Sequence, residues 1–307
     1  MPPSNNTSNG LPRPFIKWAG GKSSLVVEFE KKGLLPKQFN DYYEPFMGGG
    51  AVFFYLYNKG LINSNSFLSD VNKELVNVYN EIKQRPKPLI VQLKTLEDKY
   101  SSELFYQFRI EYNELKIKES STAKEKTRKA ALLIYLNKTC FNGLYRENKS
   151  GGFNVPFGDY ENPRILDEPN ILAVSTALKN TTISKKDFAD CLKHAKEGDF
   201  VYFDPPYHPM SETASFTSYS EGDFGFDEQK RLSEVFSKLT EKKVLVLLSN
   251  SSHDEIKKLY ERIEGAYLNT VNASRYISCK GSGRKPVLEY AITNFKPVVA
   301  QKRLEIS

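Results

Sequence analysis

Cysteine, histidine and long apolar runs are all scarce in this chain of 307 residues. The three cysteines, Cys140, Cys191 and Cys279, are widely separated, which argues against a disulfide framework and predicts a reducing, cytoplasmic location. The three histidines show no metal-ligand spacing, and we therefore expect no bound metal. No apolar stretch approaches membrane-spanning length and the first residues lack a signal-peptide pattern, so we expect no membrane association.

The composition is that of a soluble globular protein, with 39% hydrophobic and 26% charged residues. Lysine and arginine outnumber aspartate and glutamate by 44 to 37, which gives a net charge of +7. This excess favours a polyanionic partner, although many basic proteins bind no nucleic acid.

Strand-like apolar runs alternate with helical segments in two stretches of the chain, 14–83 and 166–300. Such alternation predicts an α/β fold with a doubly wound, Rossmann-like sheet. The last two predicted strands are joined by a loop without a helix, so we expect one of them to be antiparallel. The predicted strands are 42–46, 67–70, 181–184, 200–203, 244–248, 266–271 and 287–295.

The intervening segment, 84–165, has a different composition. Residues 87–136 are charged helix formers with apolar side chains at helical spacing, and 137–160 are rich in Asn, Gly, Lys and aromatic residues. We therefore predict an inserted, mainly helical subdomain that carries a protruding loop or hairpin. Residues 1–13 are expected to form a short flexible tail.

The tetrapeptide Asp204-Pro205-Pro206-Tyr207 directly follows the predicted strand 200–203. Ligands of open α/β sheets bind outside the carboxyl ends of the strands, where these residues are expected to lie. Asp204 can accept hydrogen bonds from an exocyclic amino group, the prolines present their carbonyls rigidly, and Tyr207 can stack on a planar base. The pattern favours an enzyme that holds a flipped-out nucleobase; the alternative is a Pro-Pro turn that merely closes a strand.

A glycine turn, Phe46-Met47-Gly48-Gly49-Gly50, follows the first predicted strand. Its Phe-x-Gly-x-Gly pattern is typical of S-adenosylmethionine binding, whereas a dinucleotide fingerprint would need glycine where Phe53 stands. The alternative is a tight strand–helix turn. Asp70 ends the second predicted strand, where it either accepts hydrogen bonds from ribose hydroxyls or serves as the N-cap of the next helix.

The segment from Lys17 to Ser23 resembles the end of a phosphate-binding P-loop, but Ile16 replaces the glycine that the pattern needs six residues before Lys22. ATP binding is therefore disfavoured. Trp18, the only tryptophan, can pack on a cofactor, and Lys22 can pair with a cofactor carboxylate. The alternative is an ordinary buried tryptophan beside a solvated lysine.

Five separate segments follow the motif order of one protein family. They are Phe15–Lys22, Tyr43–Gly50, Phe141–Arg146, Gly152–Gly158 and Asp204–Tyr207. Together they resemble the DNA adenine-N6 methyltransferases of the Dam type, the alpha class or D12 family, from about Pro14 to Phe295. The run from Asp204 to Tyr219 is especially similar to members that methylate adenine in GATC.

This resemblance implies direct transfer of a methyl group from S-adenosylmethionine to N6 of a flipped adenine in duplex DNA, without a metal. It implies that Asp204, Pro205 and Tyr207 hold the adenine. The implied cofactor residues are Trp18, Lys22, Phe46, Gly48, Asp70, Asp187 and Asp204. The implied DNA-binding residues are Lys17, Phe141, Asn142 and Arg146.

Residue chemistry supports this interpretation of the predicted insert. Arg146 can bond guanine O6 and N7, and Phe141 can fill the gap that an extruded base leaves. Three further cations, Arg275, Lys280 and Arg284, suit phosphate contact, although a solvated hairpin turn explains them equally well. The loop 208–226 is either a flap that closes over the active site or a disordered loop.

Several alternatives remain open at this point. Cytosine-C5 methylation is disfavoured because no cysteine follows a proline, and cytosine-N4 enzymes more often carry serine where Asp204 stands. An RNA methyltransferase and a non-catalytic DNA-binding protein on the same fold are the other candidates. We expect a monomeric bacterial or phage enzyme that acts on double-stranded DNA at the nucleoid, in restriction–modification, repair or gene regulation.

Overall fold

The computed structural model describes residues 10–18, 21–118, 121–207, 224–273 and 287–298. The chain divides into two units. The helical unit comprises Met1–Gly21, Gly48–Lys59 and Asn72–Lys185, and the sheet unit comprises Lys22–Met47, Gly60–Val71 and Lys186–Ser307. The predicted insert, 84–165, lies entirely within the helical unit, whereas both predicted catalytic segments contribute to each unit. The domain boundaries drawn from composition stay a prediction.

The sheet unit contains six of the described strands. Four of them are parallel in the order β2-β1-β4-β5, and β7 then lies antiparallel between β5 and β6. The expected antiparallel strand at the end of the chain is therefore present. These strands are β1 (Tyr42–Glu44), β2 (Ser66–Asp70), β4 (Phe200–Phe203), β5 (Leu245–Ser251), β6 (Tyr267–Ala273) and β7 (Val287–Thr293).

Helices cover both faces of this sheet. Successive side chains of a strand point to opposite faces, so β4 packs against helices on each side. Val201 and Phe203 of β4 belong to a buried cluster that includes side chains of α8 (Phe226–Glu241) and α9 (Asp254–Tyr260). On the other face, the ring of Tyr202 lies 6.2 Å from that of Phe29 in α1 (Leu25–Lys31). The predicted doubly wound α/β fold is confirmed.

The helical unit is built around one apolar helix, α6. It begins with a capping box between Thr122 and Glu125, and every side chain from Ala130 to Asn137 is buried. α6 packs against α3, α4 and α5, as the helical spacing over 87–136 predicted. The elements of this unit are α2 (Ala51–Asn58), α3 (Lys73–Gln84), α4 (Pro86–Glu97), α5 (Ser102–Ile117), α6 (Ala123–Thr139), α7 (Glu168–Ala177) and β3 (Thr181–Lys185).

A hairpin follows α6 over residues 140–158, where the sequence predicted a loop or hairpin. Antiparallel bridges join Cys140 to Phe157 and Glu147 to Phe153. The hairpin reverses at a tight turn in which the amide of Gly151 donates to the carbonyl of Asn148 over 2.9 Å. A 3₁₀ turn, Phe141–Gly143, opens it, and Asn142 and Gly143 there adopt left-handed backbone conformations.

Candidate active site and hairpin

The Asp-Pro-Pro-Tyr loop (204–207) directly follows β4 at its carboxyl end, the position at which open α/β sheets bind ligands. Lys22 lies beside this loop, with its Nζ 2.9 Å from Oδ1 of Asp204. Lys22 itself is only 6% exposed, so its positive charge is held in place to compensate the carboxylate. The alternative of a solvated lysine is therefore excluded.

Tyr207 is fixed at two points. Its hydroxyl donates a 2.6 Å hydrogen bond to Oε2 of Glu289 in β7, and the Lys22 ammonium lies 4.6 Å from the centre of its ring. Glu289 thus holds the hydroxyl end of the ring, and Lys22 contacts one of its faces. Together they restrict rotation of the ring out of its plane.

The backbone of the same loop is held by a buried amide relay. The side-chain amide of Gln229 in α8 donates to the backbone carbonyl of Pro206 over 3.1 Å. The side-chain amide of Asn250 in β5 donates in turn to Oε1 of Gln229 over 2.8 Å. Both amides are fully buried, and a buried polar group is costly unless it is hydrogen-bonded. The relay therefore stabilises the geometry of the loop.

Burial raises the pKa of Asp204 to about 6. The nearby Lys22 opposes this rise, and the negative charge of Glu289 adds to it. Burial also raises the pKa of Tyr207 well above its usual value, with Asp204 and Glu289 acting in the same direction. At neutral pH the site therefore presents a carboxylate that accepts hydrogen bonds and a phenol that stays protonated.

The predicted cofactor residue Phe46 lies in an aromatic cluster of the sheet unit. Its ring stacks on Phe188 at 5.4 Å and meets Phe224 edge-on at 5.5 Å. Asp187, which precedes Phe188, is bound by Arg231 through two 2.7 Å hydrogen bonds, and this guanidinium lowers the pKa of Asp187. Because Arg231 bonds both carboxylate oxygens of Asp187, a contact with a cofactor would use the remaining lone pairs of those oxygens.

Asp70 ends β2 and does not cap the following helix. The N-cap of α3 is Asn72, whose side chain accepts from the amides of Glu74 and Leu75 at 3.0 and 3.1 Å. The N-cap alternative for Asp70 is therefore excluded, and its role as a ribose acceptor stays a prediction.

Two predicted cofactor residues, Trp18 and Gly48, lie together in the helical unit. A Cβ atom at Gly48 would lie 3.0 Å from Cδ1 of Trp18, and Gly48 has a positive φ of 44°, so the indole packs directly on a backbone that requires glycine. The carbonyl of Gly48 also accepts a 3.1 Å bond from the Tyr79 hydroxyl. The indole of Trp18 also stacks on the ring of Tyr145 in the same unit, with the ring centres 5.2 Å apart.

The predicted DNA-binding residues of the helical unit gather around the hairpin. The side chain of buried Asn137 bonds the amide and the carbonyl of Lys17 at 2.8 and 2.7 Å and the carbonyl of Gly143 at 3.0 Å. Lys17 is exposed and lies 4.4 Å from the ring centre of Tyr160. The structure thus brings Lys17 to the 3₁₀ turn that contains Phe141 and Asn142.

The predicted DNA-binding side chains of this hairpin are exposed. Phe141 is 48% exposed, which is unusual for a large apolar side chain, and Asn142 beside it is exposed too. Arg146 is exposed and donates from Nε to Oδ1 of Asn154 on the opposite strand over 2.8 Å. The hairpin therefore offers an aromatic group and a cation on a defined backbone.

Some predicted residues lie outside the described ranges. These are Arg275, Lys280 and Arg284, and most of the proposed flap, 208–223. In the described ranges, no group of three or more His, Cys, Asp or Glu residues is arranged to hold a metal ion. None of the helices there combines the length and apolar character that crossing a membrane requires.

Sequence reasoning missed Glu289, Gln229 and Asn250. Glu289 is a single charge within a strand-like run, and Gln229 is a polar residue on the buried face of an amphipathic helix. A buried polar residue in an otherwise apolar pattern is the signal that would have marked them, but it does not name their partners.

Comparison with known proteins assigns the class. Residues 18–275 match the family model of the D12 class N6 adenine-specific DNA methyltransferases, and the chain belongs to this family. The resemblance predicted from the five motifs is confirmed.

Relatives of nearly the same length extend this assignment. The chain is 41% identical to the type II methyltransferase M.MjaIII of Methanocaldococcus jannaschii, with 92% of this chain and 99% of that protein covered. It is 39% identical to the type II methyltransferase M1.LlaDCHI of Lactococcus lactis subsp. cremoris, with coverage of 92% and 95%. It is 35% identical to the DNA adenine methylase of Escherichia coli K12, with coverage of 94% and 96%.

Proposed function

We propose that this protein transfers the methyl group of S-adenosylmethionine to N6 of adenine in double-stranded DNA, within GATC, after flipping the adenine out of the duplex. The observation that carries the proposal is the Asp-Pro-Pro-Tyr loop, in which a half-buried carboxylate and a fixed aromatic ring lie together at the end of β4. Family membership supplies the adenine and the DNA, and the loop supplies a means of holding the base.

Asp204 and the carbonyl of Pro205 would accept the two hydrogens of the adenine amino group, and Tyr207 would stack on the ring. These contacts direct the nitrogen lone pair toward the methyl group. S-Adenosylmethionine supplies a methyl that is already activated by the positive sulfur, so the residues contribute positioning and electrostatics. The proton that leaves N6 after transfer passes to solvent directly or through Asp204.

The cofactor residues proposed in the sheet unit are Lys22, Phe46, Asp70 and Asp187. Phe46 suits an adenine ring because it already belongs to an aromatic cluster, and Asp70 suits ribose hydroxyls because it ends β2 at the carboxyl edge of the sheet. Trp18 and Gly48 are proposed as cofactor residues as well, since glycine lets the indole pack directly on the turn that the family motif assigns to the cofactor.

Sequence recognition is proposed for the hairpin. Arg146 would read a guanine, Phe141 would occupy the space of the flipped base, and Lys17 and Asn142 would contact the duplex beside it. Phosphate contacts by Arg275, Lys280 and Arg284 are proposed on chemistry alone. We also propose that the enzyme acts as a monomer in the cytoplasm.

Labelled S-adenosylmethionine and three matched nucleic acids test the proposal. We expect label in a duplex with GATC, little in a duplex whose adenine in GATC is replaced, and none in an RNA of the same sequence. Single-molecule sequencing of DNA from cells that express the protein then gives the full site. Label on cytosine or RNA would contradict the substrate, and a different adenine site would contradict GATC alone.

A further inference from the structure

Tyr207 depends on a residue that no motif contains. Its hydroxyl donates to Oε2 of Glu289 over 2.6 Å, a short distance typical of a hydrogen bond to a charged acceptor. A tyrosine held only by the peptide backbone could swing about its side-chain bonds, and a base stacked on it would move with the ring. The Glu289 contact removes that freedom at the far end of the ring.

Glu289 occupies a rigid and unfavourable place for a charge. It is 6% exposed and lies in β7, paired with Ser251 of β5 on one side and Val271 of β6 on the other. Ala291 and Thr293, which share its face of the strand, are fully buried and uncharged. Packing alone would therefore favour an apolar side chain at position 289.

One cation balances this arrangement. Buried Lys22 lies 2.9 Å from Asp204 and 4.6 Å from the ring centre of Tyr207, so a single ammonium serves the carboxylate and the ring that Glu289 holds. The sheet unit thus contains one connected group of three charged side chains and a tyrosine hydroxyl: Asp204, Glu289, Lys22 and Tyr207. Such a group is retained at a cost to stability when its geometry is needed.

We propose that Glu289 is a positioning residue, which fixes the hydroxyl of Tyr207 and thereby the plane on which the flipped adenine stacks. The inference rests on the proposed function, because it assigns Glu289 a part in the same site. Glu289 acts through Tyr207 and does not touch the base, so its loss should lower the rate of transfer more than the affinity for DNA.

Four variants test this: Glu289→Gln, Glu289→Leu, Tyr207→Phe and the double variant Tyr207→Phe with Glu289→Leu. We expect Glu289→Leu and Tyr207→Phe each to lower kcat by about tenfold or more, with the Kd for cognate DNA within about threefold of wild type. Glu289→Gln keeps a hydrogen-bond acceptor and should recover much of the loss. The double variant should be no worse than the worse single variant, because both remove the same bond.

The matched control is Tyr42→Phe. Tyr42 donates to Oε2 of Glu44 over 2.8 Å, so this change also removes a buried tyrosine–glutamate bond from the sheet unit. It should lower the melting temperature yet leave kcat unchanged. A second measurement uses duplexes with fluorescent 2-aminopurine in place of the target adenine. Glu289→Leu should alter the fluorescence of the bound base, and Tyr42→Phe should not.

A kcat within about twofold of wild type for both Glu289→Leu and Tyr207→Phe would overturn the inference, as would losses that multiply in the double variant. If Glu289→Leu does not fold, Tyr207→Phe decides the matter by the same kcat criterion, because it removes the same hydrogen bond from the other side. The wild-type arm separates the two proposals. Wild-type protein that fails to methylate adenine in DNA refutes the function, whereas active wild type with indifferent variants refutes only the role of Glu289.

Discussion

The Asp-Pro-Pro-Tyr loop and the 140–158 hairpin are organised in opposite ways. In the loop the side chains are held, Asp204 by Lys22 and Tyr207 by Glu289, and they lie largely out of water. In the hairpin the backbone is held, and the side chains predicted to contact DNA, Phe141, Asn142 and Arg146, are exposed. Chemistry on one base needs fixed groups, whereas reading a sequence needs a fixed frame whose side chains can reach the duplex.

Asparagines supply that frame. Asn113 of α5 accepts from the amide of Phe153 at 2.8 Å and donates to its carbonyl at 3.1 Å, and Asn137 binds Lys17 in the same paired manner. An amide side chain that pairs with both backbone groups of one residue imitates a neighbouring β-strand. The hairpin can therefore keep its shape without burying its own polar side chains.

If the loop carries the chemistry alone, Asp204→Ala has the largest effect. We expect methylation to be abolished while the affinity for DNA is largely kept, since the lost carboxylate is the proposed acceptor for the amino group. Turnover of labelled cofactor and a DNA-binding titration measure the two quantities. The control is Asp227→Ala, which removes an exposed carboxylate of the same unit. Turnover within about tenfold of wild type, a barrier change near 1.4 kcal/mol, would contradict the catalytic assignment of Asp204.

If the hairpin alone determines sequence choice, Arg146→Ala should lower the affinity for the cognate duplex and leave the chemical step intact. A lost guanine contact costs about 1–3 kcal/mol on the cognate duplex and little on a random one. If Arg146 binds phosphate instead, both affinities fall together and the salt slope drops by about one. Affinities on both duplexes across a salt series decide this. Arg128→Ala, which breaks an ion pair with Glu111 in the same unit, controls for lost stability.

The sequence predicted the bounds of some strands correctly and those of others only in part. The strand 200–203 lies where predicted, because an apolar run and the prolines that follow it mark the strand locally. The strand predicted at 244–248 continues to Ser251. Polar residues extend it because Ser249 bonds Tyr202 and Asn250 bonds Gln229.

Contacts between distant residues also explain which residues of the candidate site the sequence did not predict. Motifs located Asp204, Tyr207 and Lys22, since these lie in short recognisable patterns. Glu289 is separated from Tyr207 by 82 positions, and no local pattern announces such a contact. Sequence pattern finds side chains that belong to a motif, but their supporting partners follow from the sheet topology, which places β7 beside β5.

Asp70→Ala should weaken cofactor binding while leaving sequence choice unchanged. A lost hydrogen bond between a carboxylate and the ribose costs about 1.5 kcal/mol, which is roughly tenfold in Kd. Calorimetric titration of S-adenosylmethionine measures it. Asn72→Ala is the informative control, because it removes the true N-cap and should lower the free energy of unfolding by about 1 kcal/mol. An unchanged Kd for Asp70→Ala would refute the ribose contact.

The smallest effect expected is the pH dependence, and it should divide the two regions most cleanly. Because the pKa of Asp204 is about 6, kcat should fall about twofold between pH 8 and pH 6 and roughly tenfold by pH 5 as the carboxylate takes up a proton. The affinity for a cognate duplex relative to a random one is assigned to the hairpin and not to Asp204, so it should stay constant over the same range.

Stability should change in the opposite direction to activity. A carboxyl whose pKa is higher in the folded protein than its usual 3.8 stabilises the fold fully below that usual value, and this contribution is lost as the pH rises through 6. Among the described residues, the charged or titratable groups that interact with Asp204 are Lys22, Glu289, Tyr202 and Tyr207, and Glu289 raises its pKa. Glu289→Gln should therefore move the acid limb of kcat to lower pH. A limb that stays in place would show that the carboxylate of Glu289 does not act on Asp204, and a kcat that is flat from pH 5 to pH 8 would contradict the assignment of the limb to Asp204.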